Sequence, residues 1–278
     1  MVCFDLESTG VDTETALIVS SCVALIPKDM GDGLGRPPKI FSRISSVEVP
    51  EEAAAIHGMT TEYVRQHGAE PTVAIQEAVG LLRLAVERGL PIIGHNLRYD
   101  LTLLDRECLR HGIEPIAERP EDLRPCIDTF VVDKAADPFR KKRPDGTSTR
   151  VLTGLCDHWG VKLDGAAHDS TVDALASARI AFKMAKGPIP RAASERPYST
   201  PQLDIGAMKL DDLHDAQIEW AAKQAKSMAT FFRGLASQQA DPAERDALLA
   251  KADGCRPEWP FIPRPVAPDN GGQASLWD

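Results

Sequence analysis

Residues 3–10 read CFDLESTG. Val2, Phe4 and Leu6 alternate with Cys3, Asp5 and Glu7, which is the two-residue period of a β-strand. Ser8, Thr9 and Gly10 then turn the chain. On such a strand Asp5 and Glu7 share one face, with about 7 Å between their backbone positions. An isolated D-x-E of this kind reads first as a solvated polar face, so the rest of the chain must decide whether the pair is structural or chemical.

Outward from this strand, a β-rich run covers 16–26, a Gly/Pro loop extends through Pro38, and KIFSRIS reads as a third strand. These three predict an antiparallel meander. The pattern then becomes helical in a short segment ending at His57-Gly58 and over 71–88, where Val73, Ile75, Val79, Leu82 and Val86 carry the apolar positions. A short buried strand follows over 90–94, and an amphipathic helix over 99–111 offers Leu101, Leu104 and Leu109 to the core. A strand at 125–127 and helices near 128–135, 151–159 and 170–186 complete the plan. Three β elements followed by β/α alternation imply an α/β fold, a mixed sheet flanked by helices. Residues 1–187 form this domain. Residues 188–209, rich in Pro and Ser, read as a linker, 210–253 as a helical C-terminal region with Leu213, Ile218, Ala221, Ala225, Met228 and Phe232 at helical spacing, and 254–278 as a flexible tail.

The chain has 278 residues and a formal net charge of −9. That charge excludes a protein that coats nucleic acid through bulk electrostatics, and any such contact must be local or metal-assisted. Arg140, Lys141, Lys142, Arg143 and Arg150 form one local basic cluster, readable either as a solvated loop or as a substrate contact. The six cysteines are scattered with no C-x-x-C pair, which predicts reduced, mostly buried thiols and neither a zinc site nor a disulfide framework. No apolar run reaches membrane-spanning length and no leader pattern opens the chain, so a soluble, cytoplasmic protein with no membrane partner is expected.

Three further segments bear on Asp5 and Glu7. GHNLRYDLTLL leads from strand to helix and carries Asp100 near the helix start, where the helix dipole alone could favour it. HDSTVDALASA sets His168 five residues before Asp173, and Ser170 with Asp173 also has the form of a capping box. PCIDTF carries Asp128, a candidate cap for the next helix. In this order, FDLESTG, IHGMT, GHNLRYDLTLL, CIDT and HDSTVDALASA resemble the DEDDh 3′-to-5′ exonucleases from Cys3 to about Lys186, and are most similar to those like the epsilon proofreading subunit of bacterial DNA polymerase III. The resemblance implies a ribonuclease-H-like sheet. It makes Asp5, Glu7, Asp100 and Asp173 metal ligands and His168 the general base. It also makes Ser8, Thr9, His57 and Asn96 candidates for substrate contact; His57-Gly58 reads equally well as a helix end with a glycine cap. The tyrosine branch of the family would place Tyr where this chain has Asp169. Ser170 stands where the family usually has alanine, Tyr99 replaces the commoner phenylalanine, and the first strand is expected to be short because the chain opens almost on it.

Elementary electrostatics agrees with the implied site. Carboxylates about 5 to 7 Å apart repel by roughly 2 to 3 kcal/mol per pair at an effective dielectric near 20, so four in one cleft require cations. Carboxylate oxygens suit two Mg²⁺ or Mn²⁺ ions, which can stabilise both oxygens of an in-line phosphodiester displacement. A histidine suits proton abstraction near neutral pH. The expected substrate is a single-stranded or frayed DNA 3′ end, with replication proofreading or repair as the setting and a DNA polymerase as one possible partner. In the tail, Gln273, Leu276 and Trp277 form Q-x-x-L-aromatic, which looks like the short peptide that binds the bacterial sliding clamp. Two other readings remain open: an RNA-trimming exonuclease of the same fold, separable by activity on matched oligonucleotides, and a non-catalytic clamp-binding adaptor, which would show no metal-dependent turnover.

Overall fold

The computed structural model describes residues 1–27, 37–144, 146–163, 165, 167–192 and 198–265. β1 (Val2–Ser8), β2 (Ile18–Leu25) and β3 (Lys39–Ile44) form the expected meander. β1 runs seven residues and is not short. β4 (Ile92–Gly94) and β5 (Cys126–Asp128) then add in parallel to β1, giving the mixed order β3-β2-β1-β4-β5. Helices α1 (Glu51–His57), α2 (Thr61–His67), α3 (Pro71–Glu87), α4 (Leu97–Arg110), α5 (Thr129–Ala136), α6 (Leu152–Trp159) and α7 (Ser170–Met184) flank this sheet. The sequence reading passed over α2, whose signal is Thr60: its hydroxyl accepts from the Tyr63 N–H and caps the helix.

The alternation in β1 divides the core. Val2, Phe4 and Leu6 join Ile75, Leu82, Leu101 and Leu104 on one side of the sheet. Cys3 joins Leu155, Ile180 and Met184 on the other, the side of α6 and α7. Asp5 and Glu7 therefore lie under α7 and not in solvent; each is only 9% exposed. Leu109, expected in the core, is exposed, because α4 buries the face that carries Leu101, Leu104 and Cys108. All six thiols are free and five are buried.

The region after 187 is tied into the same core. Ile189 and Ile205, in the expected linker, are buried against the α7 side, and the Ile189 N–H bonds to the Leu203 carbonyl. α8 (Leu210–Ala236) lies along β5, where His214 Nδ1 accepts from the Cys126 N–H and Gln217 bonds to both the Asp128 N–H and the Cys126 carbonyl. These side chains satisfy a sheet edge that would otherwise be open. α9 (Pro242–Asp253) returns along α8.

The flexible-tail expectation for 254–278 is corrected as far as the chain is described. Trp259 and Phe261 are 3% and 2% exposed in the α3/α4 core. The Ile262 N–H bonds to Thr102, Arg106 donates to the Ile262 and Pro263 carbonyls, and Arg264 pairs with Asp105 at 3.0 Å. Two aromatic anchors outweigh the proline-rich composition from which flexibility was read. Gln273, Leu276 and Trp277 lie outside the described residues. Trp259→Ala is expected to cost about 3–5 kcal/mol of stability, the usual range for emptying a buried aromatic site. Urea unfolding checks this, and a loss below about 1 kcal/mol would show the strap to be peripheral.

Candidate active site

The site forms at the carboxyl ends of the parallel strands, where α/β sheets commonly bind ligands. β1 ends on Asp5 and Glu7, β4 leads through Asn96 into α4 with Asp100, and β5 leads through Asp128 into α5 with Phe130. α7 crosses over β1 and brings Asp173 to the pair. Asp5, Glu7, Asp100, Asp173, Asn96 and His168 all line one cleft of about 460 Å³. Ligand atoms of Glu7, His168 and Asp173 lie within 4.8 Å of one another.

Two of the four carboxylates are held by backbone. Asp100 Oδ1 accepts from the Leu6 N–H of β1 at 3.1 Å, which pins the helix carboxylate to the strand between Asp5 and Glu7. Asp173 Oδ2 accepts from the His168 N–H at 3.2 Å. The capping-box reading of Ser170 and Asp173 does not hold: Asp169 caps α7 by accepting from the Thr171 and Val172 N–H groups, which frees Asp173 for the cleft. Asp128 does cap α5, through the Phe130 N–H, and also accepts from the Asn96 N–H.

Among the described residues, the two non-glycine residues with positive φ are Asn96 (59°) and His168 (65°). Both border the cleft. Such backbone costs of order 1 kcal/mol or more and concentrates at functional sites. At His168 it turns the chain so that a ring nitrogen comes within 4.8 Å of a Glu7 oxygen while the N–H bonds to Asp173.

Burial pushes the Asp5 carboxyl well above the usual carboxylate range, and the charges of Asp100, Asp173 and Glu7 push it further. Asp100 rises for the same leading reason, partly offset by the Leu6 N–H. Burial and then Asp173 push Glu7 up to about 7. Burial also raises Asp173. Its Oδ1 is buried with no hydrogen-bond partner. An orphaned buried oxygen amid mutually repelling carboxylates is an all-oxygen donor set short of positive charge, and it fits divalent cations.

The candidate substrate residues divide. Asn96 is exposed on the cleft wall. The hydroxyls of Ser8 and Thr9 serve the loop after β1: Ser8 Oγ donates to the Gly10 carbonyl and pairs with Tyr99 Oη at 2.6 Å, while Thr9 Oγ1 accepts from the Leu17 N–H. Tyr99, the departure from phenylalanine, thus supplies a hydroxyl that fastens this loop. Ser170, the other departure, meets Ser20 Oγ of β2 at 3.1 Å. His57 fits its helix-end reading and is not among the residues that line the cleft. Gly58 caps α1 in the left-handed conformation (φ 77°), and the imidazole, its pKa lowered by burial and then by His168, accepts from the Met59 N–H through Nδ1 and leaves Nε2 buried without a partner.

Further cleft residues carried no signal in the sequence: His95, Phe130, Ser148 and Leu152. His95, held down at about 4 by burial, meets Thr129 Oγ1 and packs edge-on against Phe130. No local spacing announces these positions, because the cleft is assembled from three separate connections. The basic cluster resolves into pairs: Arg140 and Arg150 bond Asp133, and Arg143 bonds Asp157. Of the five, Arg150 lines the cleft.

Residues 2–181 match the RNase_T exonuclease family. The chain belongs to that family. Members of the DEDD superfamily, to which RNase_T exonucleases belong, generally use divalent metal ions. Among solved structures, product-bound exonuclease I matches with a TM-score of 0.54 at 16% identity, covering 66% of this chain and 42% of that one. E. coli exonuclease I in complex with a dT13 oligonucleotide matches with a TM-score of 0.52 at 20% identity, covering 66% and 40%. The dA16 complex gives 0.51 at 19%, covering 65% and 39%. At these identities the likeness shows the fold, and the chain spans about two fifths of the exonuclease I chains it matches. No curated protein matches it. No described helix of this RNase_T family member is long and apolar enough to cross a membrane.

The raised carboxyls fix the sign of a pH effect. Unfolded, Asp and Glu release their protons near pH 4 to 4.5, whereas folded Glu7 holds its proton to about 7 and Asp5 is raised too. The folded state binds more protons across that window, so the contribution of the cluster to stability is full below it and lost as pH rises through it. In EDTA, Asp5→Asn is expected to flatten the decline in melting temperature between pH 5 and 7.5 relative to wild type. Parallel wild-type and variant profiles would contradict the electrostatic account.

Proposed function

We propose that this chain is a metal-dependent 3′-to-5′ exonuclease that removes nucleoside 5′-monophosphates from single-stranded or frayed DNA 3′ ends, in replication proofreading or repair. The observation that carries the reading is the convergence of Asp5, Glu7, Asp100 and Asp173 in one cleft, with the Asp173 Oδ1 atom buried and unpartnered. Membership of an exonuclease family supports the reaction class. Exonuclease I, which resembles this chain in fold, has been seen with dT13 and dA16 oligonucleotides, which supports a single-stranded DNA substrate. The epsilon-like assignment rests on the five motif stretches of the sequence.

Asp5, Glu7, Asp100 and Asp173 would hold two divalent cations, Mg²⁺ or Mn²⁺, whose charge when bound stabilises the attacking and leaving oxygens of an in-line displacement. The remaining work falls to the chain. A ring nitrogen of His168 accepts the proton of the attacking water as its oxygen bonds to phosphorus. The P–O3′ bond breaks, the shortened strand leaves with a protonated 3′-hydroxyl, and the terminal nucleotide departs as its 5′-monophosphate. The hydrogen bond from the His168 N–H to Asp173 holds the base in register with the carboxylates. Phe130 and Leu152 give the cleft apolar walls against a terminal base, and Arg150 and Asn96 provide donors for phosphate and base edges.

The test is degradation of a 5′-labelled single-stranded DNA, with a matched RNA in parallel, in Mg²⁺ or Mn²⁺ and in EDTA. A metal-dependent ladder shortening from the 3′ end is expected, with no turnover by Asp5→Ala at unchanged circular dichroism. His168→Ala is expected to lower turnover by about a hundredfold or more, the usual scale of general-base effects. Full activity in either variant overturns the assignment. Degradation of the RNA alone would move it to RNA trimming, and no turnover on either strand to the adaptor reading.

A further inference from the structure

A second pocket, of about 200 Å³, adjoins the cleft and shares Asn96 and Phe130 with it. One wall is Arg98, Phe130 and Lys134. The other comes from α8 and the strap: Ala221, Ala225, Met228 and Trp259, all beyond the family match that ends at residue 181. Phe130 thus stands between two cavities, one walled by carboxylates and the other by cations.

The charges around Phe130 are unbalanced. The Lys134 ammonium is half-buried, 5.6 Å from the Phe130 ring centre, with no carboxylate partner among the described residues. Burial and the neighbouring Arg150 and Arg98 lower its pKa. Arg98 donates to the Arg256 carbonyl; burial lowers its pKa, the charges of Asp128 and Glu258 raise it, and Arg256 crowds it with a like charge. The one carboxylate in this pocket, Asp128, is occupied with the Asn96 and Phe130 N–H groups. On a chain of net charge −9, an apolar slot edged by crowded cations has the complement of a nucleotide: a flat apolar base and an anionic phosphate.

We infer that this pocket is an upstream subsite for the single strand. It receives a base two or more nucleotides 5′ to the scissile phosphate, beyond the reach of dT2, against Phe130 and Met228 while Lys134 and Arg98 meet the phosphates. This rests on the nuclease reading of the adjoining cleft and gives the C-terminal region a substrate role. It predicts that affinity grows with strand length once the strand extends past the cleft.

The test is fluorescence anisotropy of labelled dT2 and dT8 on the full chain in EDTA, beside hydrolysis of the 4-nitrophenyl ester of thymidine 5′-phosphate, which spans the cleft alone. Lys134→Ala and the pocket-filling Ala225→Trp should each weaken dT8 about five- to tenfold, the scale of one phosphate or stacking contact. Lys134→Ala should also reduce the salt slope by about 0.7. Binding of dT2 and ester hydrolysis should stay at wild-type levels. Unchanged dT8 affinity in both variants, equal loss for dT2 and dT8, or wild-type dT8 binding no tighter than dT2 would overturn the subsite. Wild-type protein that binds dT8 in this length-dependent way yet hydrolyses neither ester nor oligonucleotide would sink the nuclease reading and leave the subsite standing.

Discussion

The structure depends on one electrostatic constraint: four carboxylates are held close together in a cleft where burial alone already disfavours their charge. The fold does not relieve this. It fixes Asp100 to the backbone of β1 through the Leu6 N–H, fixes Asp173 through the His168 N–H, and leaves Asp173 Oδ1 bare. Two residues stay in left-handed backbone beside the cluster. A chain that keeps such repulsion in one place gains most from a ligand that cancels it, and divalent cations would do so.

The sheet order explains why the constraint can be met. Parallel pairing of β1, β4 and β5 aligns their carboxyl ends, so that residues far apart in sequence arrive at one edge, and α7 closes over them from the other face. Support reaches the cleft from beyond the family-matched residues. Gln217 and His214 finish the edge of β5, and the strap with Trp259 and Phe261 packs against α4, the helix that carries Asp100.

Much of the carboxylate cleft was legible because its residues sit in short motifs at element ends, where sequence patterns are strongest. Strand alternation put Asp5 and Glu7 on one face, but only the resemblance carried by the five motif stretches grouped them with Asp100 and Asp173. Composition misled where two residues outweighed many: the tail reads as flexible from its prolines, yet Trp259 and Phe261 anchor it. Ser8 and Thr9 carried hydroxyls that the loop itself consumes. Phe130, His95 and Lys134 gave no signal, because their importance lies in what two distant connections and α8 place beside them. Met228, at a core spacing in α8, is exposed and lines a pocket.

The central claim is that the carboxylate cluster exists to hold cations, and diffraction from Mn²⁺-soaked crystals, measured at the manganese edge, tests it most directly. The account predicts two anomalous peaks about 3.5 to 4 Å apart among Asp5, Glu7, Asp100 and Asp173, with one within bonding distance of Asp173 Oδ1. Peaks elsewhere on the chain with none in this cleft, at Mn²⁺ concentrations that fill other sites, would contradict it.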